Sequence, residues 1–157
     1  MKIKLLAVGK TDQKNLQLFL DDYIKRISFY IRFEMQVIPD IKKAKNLSEK
    51  EQKQKEGELI LKQIDATDTV ILLDEKGKLH TSVGFADFLQ NKMNTVNKQL
   101  VFVIGGPYGF SEAVYSRAQA KMSLSTMTFS HQMVRLFFLE QLYRAFTIIR
   151  NEPYHHQ

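Results

Sequence analysis

The sequence contains no cysteine. That removes disulfides, thiolate metal sites and a cysteine nucleophile together, and it fits a reducing, cytoplasmic setting. It also lacks the run of about 20 apolar residues that a bilayer span requires. The most apolar stretch, Met133–Ile149, is broken by Arg135, Glu140, Gln141 and Arg144 and reads as a buried helix. The opening residues MKIKLLAVGKTD hold too short an apolar stretch for a secretory leader. No Gly-x-Gly-x-x-Gly opens a helix and no Gly-Lys-Ser/Thr follows a glycine loop, which argues against a dinucleotide fold and a P-loop. No His-x-x-x-His pair accompanies the four histidines, so a zinc site is not expected. Aromatic residues are not grouped on an exposed strand, which leaves a base-stacking platform unsupported.

What is present fits one globular domain spanning residues 1–157. Apolar residues make up 44% and charged residues 25%, a mix that can bury a core. The net charge of +6 is compatible with a solvated basic surface and with a polyanionic partner.

Hydrophobic periodicity divides the chain into alternating strands and helices. Strands are expected at Lys2–Val8, Arg32–Ile38, Asp68–Asp74 and Gln99–Ile104, the last two apolar throughout as in strands covered on both faces. Helical stripes run over 15–30, over 85–93 behind a Thr81 or Ser82 cap, and over 131–150. Residues 40–58 are rich in Lys, Glu and Gln, and Ser48 with Glu51 has capping-box spacing for a mostly solvated helix. Ser111 caps a short helix, and 124–129 reads as strand or loop. This order predicts an α/β domain with a mostly parallel sheet and helices on both faces. Ligands in such sheets bind at the carboxyl ends of the strands, which directs attention to Leu73–Gly77, Gly105–Phe110 and Leu124–His131.

Three features stand out. Gly105-Gly106-Pro107-Tyr108-Gly109 forms a tight turn between a buried strand and a helix, and it lets a ligand approach the backbone with no Cβ in the way. The last helix is apolar around more than one face, which favours burial against a second copy of the chain in a twofold dimer. The third is the group His131, Arg135, Glu140, Arg144, Tyr154, His155 and His156. A histidine can accept a proton near neutral pH and an arginine can grip phosphate or carboxylate, whereas the bland alternative is helix capping and a frayed tail. Arg144 has the same two readings: an anion contact, or an i,i+4 pair with Glu140.

Taken in order, Ala7-Val8-Gly9-Lys10, Leu72-Leu73-Asp74 with Gly77, Val103-Ile104-Gly105-Gly106-Pro107 with Gly109, Leu124-Ser125-x-Met127-Thr128-Phe129 with His131, Val134-Arg135, Glu140-Gln141-Leu142-Tyr143-Arg144-Ala145 and Pro153-Tyr154-His155 form a specific series. It resembles the ribosomal RNA large-subunit methyltransferase H family of the SPOUT superfamily, from end to end. The sequence departs from that pattern after Pro107 and at Thr126, and of the two tail histidines only His155 matches.

The resemblance implies a SPOUT-type sheet with a trefoil knot near the C-terminus and a cytoplasmic homodimer with no membrane or metal partner. It further implies S-adenosyl-L-methionine as cofactor and methylation of nitrogen 3 of a pseudouridine in the helix 69 loop of 23S rRNA in the ribosome. Cofactor contacts would come from Leu73, Gly105, Leu124, Ser125, Thr126, Met127, Thr128 and Phe129. The catalytic group would include His155 or His131 as proton acceptor, with Arg144 and Tyr154. The alternative is a non-catalytic ribosome- or RNA-binding dimer of the same fold, which would have no need of the methyl donor.

Overall fold

In the computed structural model, which describes residues 1–156, five strands form one sheet in the order β2-β1-β4-β3-β5, and every pairing is parallel. The strands are β1 (Lys2–Val8), β2 (Arg32–Ile38), β3 (Thr69–Leu79), β4 (Gln99–Ile104) and β5 (Ala120–Ser123). The helices are α1 (Lys14–Ser28), α2 (Glu49–Leu61), α3 (Ser82–Thr95), α4 (Glu112–Arg117) and α5 (Met133–Ile149). Parallel strands require crossovers, and the crossovers cover both faces. Ile3, Leu5, Phe102 and Ile104 point to the side packed by α1, α3 and α5. Leu6, Val8, Val101 and Val103 point to the side packed by α2 and α4. The alternation of strand side chains thus builds two cores from one sheet.

The expected strands and helices are found, with two differences. The strand β5 is not evident from its sequence, Ala120-Lys121-Met122-Ser123, because four residues with one lysine carry almost no periodic signal. The 124–129 segment that follows is loop. Strand β3 does not stop at Asp74. Met122 pairs with Leu73 and again with Lys78, so residues 74–77 form an excursion whose two ends close on one residue of β5.

Helix α5 lies between α1 and α3. These two helices cover much of the surface that its apolar circumference suggested for a second copy of the chain, and they leave Met133 and Phe137 about 40% exposed. Its N-terminus is stitched to the turn after β1. The Arg135 guanidinium is fully buried; it donates to the carbonyls of Val8 (2.8 Å) and His131 (3.1 Å) and to the Thr11 hydroxyl (3.1 Å). Gln132 adds a pair of bonds to Lys10 and Asp12. Arg135 is therefore a structural pin, and the expectation that it contacts phosphate or cofactor carboxylate is corrected: the group is fully buried and each of its three nitrogens donates to an acceptor inside the protein.

At Gly77 an added Cβ would stand 2.4 Å from the Met122 main chain. Main chain cannot swing aside as a flexible side chain can, so Gly77→Ala should destabilise the fold by about 1–3 kcal/mol, measured as a lower urea midpoint with an unchanged slope.

Candidate active site

The carboxyl ends of β4 and β5, with the stretch of β3 that leaves β4 after Leu73, open into a cavity of about 520 Å³, within the size range of small-molecule sites. Its walls are the three turns singled out from the sequence. Leu73 and the 74–76 excursion form one wall, Gly105 to Phe110 a second, and Leu124, Ser125, Met127, Thr128 and Phe129 a third, with His131 at the end. Thr126 belongs to the third turn but does not line the cavity.

Each turn is held by local chemistry. The Asp74 carboxylate accepts from the Lys76 amide at 2.8 Å and from the Tyr115 hydroxyl, which fixes the excursion. Burial, then the bond to Asp74, pushes the Tyr115 pKa well above its ordinary value, so the phenol stays a donor. In the glycine turn, Gly109 adopts φ +81°, a conformation glycine takes without strain. In the third turn the Ser123 hydroxyl donates to the Ser125 carbonyl (2.8 Å) and the Ser125 hydroxyl accepts from the Met127 amide (2.9 Å). The Phe129 ring packs on Phe137 of α5 at 4.8 Å. Among the described residues, 125–129 make no main-chain to main-chain hydrogen bond. Peptide groups at a cleft wall with no ladder partner are available to a ligand.

Two residues of α2 complete the site, and both lie in the segment whose sequence seemed least informative. Lys53 lines the cavity. Glu56 is buried beneath the glycine turn, where its carboxylate accepts from Gln52 Nε2 (2.9 Å). A Cβ on Gly106 would fall 2.2 Å from that carboxylate. The helix can come so close because of Gly57, where a Cβ would meet the Ser111 hydroxyl at 2.3 Å. A lone glycine inside a polar helix was the signal for this contact, since it costs helix stability unless packing requires it.

The tail lies elsewhere. Helix α5 ends in a Schellman motif: the Asn151 amide bonds the Ile148 carbonyl, the Glu152 amide bonds the Thr147 carbonyl, and Asn151 takes φ +55°. The chain then folds back on α5. The Tyr154 ring packs against Tyr143 at 4.7 Å, its hydroxyl donates to Glu140 Oε1 at 3.1 Å, and Arg144 lies over the ring. Arg144 Nε bonds Glu140 at 3.0 Å and its Nη1 meets His155 Nδ1 at 3.2 Å. The tail is therefore docked rather than frayed, and Arg144 makes the i,i+4 pair. The Glu140 bond holds the Arg144 pKa above its usual value, and burial first of all raises that of Tyr154, so neither is a base.

His155, Arg144 and Tyr154 come together, but none of them lines the cavity that contains His131. Arg144 is nine residues beyond Arg135, about 14 Å along the helix at 1.5 Å per residue. One protomer therefore does not bring His155 and His131 into one site.

Comparison with known proteins matches residues 1–155 to the family described as "Predicted SPOUT methyltransferase". Among the similar proteins is the ribosomal RNA large subunit methyltransferase H of Flavobacterium johnsoniae, 69% identical over the full length of both chains. Those of Flavobacterium psychrophilum and Parabacteroides distasonis are 68% and 61% identical, again over the full length of both. A solved chain described as belonging to the TrmH family, from Porphyromonas gingivalis, superposes with a TM-score of 0.41 at 10% identity, covering 88% of this chain and 58% of that one, a likeness too loose to argue from. The chain belongs to the SPOUT methyltransferase family and, within it, to the ribosomal RNA large subunit methyltransferase H family. Among the described residues no helix is long and apolar enough to cross a membrane, and no cluster of three or more acidic or histidine side chains could hold a metal.

Burial, the largest influence, raises the Glu56 pKa above 4.5, so the folded protein binds that proton more tightly than the unfolded chain. This contribution is fully present below about pH 4.5 and is lost as pH rises through the folded value. Glu56→Gln does not titrate, so its melting temperature should gain on the parent between pH 4 and pH 7; a constant difference across that range would show that Glu56 is not held as described.

Proposed function

We propose that the protein is an S-adenosyl-L-methionine-dependent methyltransferase of 23S rRNA, modifying nitrogen 3 of a pseudouridine in the helix 69 loop of the ribosome. The observation that carries this reading is the convergence of three turns, far apart in sequence, around one cavity of about 520 Å³ in a chain of the methyltransferase H family. The cavity suits the cofactor chemically. Main-chain groups of 125–129 can read the edge of an adenine, Leu73, Leu124 and Met127 offer apolar faces to the ring, and Gly105 admits close approach.

When bound, the cofactor supplies a methyl group already activated on a sulfonium sulfur. What remains for the protein is to align the base with that methyl and to accept the imide proton. His155 is the first proposed acceptor and His131 the second; Arg144 and Tyr154 hold His155 in place. Because one protomer keeps the two histidines apart, the proposed enzyme is a cytoplasmic homodimer in which the tail of one chain serves the cavity of the other. Apolar side chains exposed on α1 (Leu18 and Phe19, each 60%) and on α5 (Phe137) offer a surface for such a partner. The trefoil threading near the C-terminus belongs to the same proposal.

A methyl on nitrogen 3 blocks the Watson–Crick edge, so reverse transcription of the organism's 23S rRNA should stop at the modified base and read through after gene deletion. A stop that survives deletion would refute the assignment. Calorimetry should detect the methyl donor binding to the purified protein, as a pure RNA binder would not.

Trimming Tyr154–Gln157 should preserve dimer mass and cofactor affinity while lowering turnover. His155→Ala should retain residual activity, slowed by about 10²–10⁴-fold as expected for loss of a positioned base.

A further inference from the structure

The positive charge of the protein is concentrated. Residues 40–55 hold six lysines against three acids, +3 of the total +6 in 16 residues. The fold places this segment next to the cavity. It leaves β2 at its carboxyl end, and β2 runs parallel to β1, which itself runs parallel to β4, so 39–47 emerge on the same sheet edge as the cleft. Asp40 packs against Gly9, close enough that a Cβ there would stand 2.7 Å from its carboxylate, and Lys10 follows directly. Helix α2 then carries the charge to the cavity: Lys53 lines it, and Lys50, three residues earlier, shares that face.

The lysines are free to act outward. Lys10, Lys42, Lys43, Lys45 and Lys50 are exposed, and among the described residues none of them, nor Lys53, is in an ion pair. Of the three acids in the segment, Glu51 is committed to capping α2, accepting from the Ser48 amide at 2.8 Å, whereas Asp40 and Glu49 are exposed and are outnumbered by the lysines. Lys55 is set aside because it faces Glu51.

We propose that Lys10, Lys42, Lys43, Lys45 and Lys50 form a phosphate-binding track that carries the RNA backbone along the carboxyl edge of the sheet to Lys53, so that a base beside the track enters the cavity. The inference rests on the rRNA reading above and assigns its substrate-docking surface. Flexible ammonium groups on a strip give charge neutralisation without base readout. The track therefore sets affinity and salt dependence, while the cavity sets which base reacts.

The test replaces Lys42, Lys43, Lys45 and Lys50 together by Gln, and separately by Arg. None of the four lines the cavity. Methylation of ribosomal particles that lack the modification is followed at 50–300 mM KCl, with cofactor affinity measured by calorimetry and binding of a 20-nucleotide RNA hairpin by fluorescence anisotropy. In the Gln variant kcat and cofactor affinity should be unchanged. The KM for particles should rise at least about tenfold at 100 mM KCl, and the slope of log KM against log salt should flatten by about 3, near 0.7–0.9 per lost phosphate contact. The Arg variant should match the parent. Unchanged KM and slope in the Gln variant overturn the track. So does a KM defect on particles with no difference on the naked hairpin, because that assigns the lysines to a protein partner. A parent that methylates no particles defeats the rRNA reading instead, and hairpin anisotropy still decides whether the lysines bind RNA.

Discussion

A buried guanidinium with no carboxylate in contact holds the functional end of this molecule together. Removing a charge from water is costly unless its hydrogen-bonding capacity is met, and Arg135 meets it with two carbonyls and a hydroxyl. Those acceptors belong to the end of β1, to the turn after it, and to the residue that ends the third wall of the cleft. The same side chain therefore fixes where α5 begins and where His131 stands. Severing it would strand the buried Val8 carbonyl, at a cost of about 1–3 kcal/mol for a buried unpaired acceptor. The cost would fall on the junction between sheet and site.

The cleft is built on a similar economy, with few side chains committed to shaping main chain. Glu56 supports the glycine turn from below, Tyr115 and Asp74 brace the excursion of β3, and Ser123 and Ser125 shape the third turn. The result is a cavity whose walls present peptide groups and apolar faces. It contrasts with the tail cluster, where Glu140, Arg144, Tyr154 and His155 satisfy one another. The first region is left open to a ligand, and the second is a docked, hydrogen-bonded unit on the other part of α5.

Much of this was legible in the residues. Strands β1 and β2 carry alternation, β4 is a continuous apolar run, and all three turns sit where an α/β sheet places its ligands. The capping box at Ser48 and Glu51 and the cap at Ser111 are local patterns, and local patterns survive folding. What escaped depends on contacts between distant segments. Strand β5 exists because β3 offers it an edge, and its four residues could not announce that. Arg135 shares a helical spacing with His131 that suggested an exposed anion grip, yet its surroundings are decided by β1, more than 120 residues away. Glu56 looked like one charge among many in a solvated helix until Gly57 allowed the helix to close on α4. Length and apolarity placed α5 correctly, but could not say that α1 and α3 would take its flanks.

The register of the sheet carries one more implication. Lys2 of β1 pairs with Gln99 of β4, so one edge of β1 has no neighbour until nearly two-thirds of the chain has been made. During synthesis β1 can join β2, but its opposite side then presents a row of unpaired peptide groups, the kind of edge that invites intermolecular pairing. Birth of this protein is consequently a race between translation through residue 104 and capture of a half-built ribbon by another nascent chain.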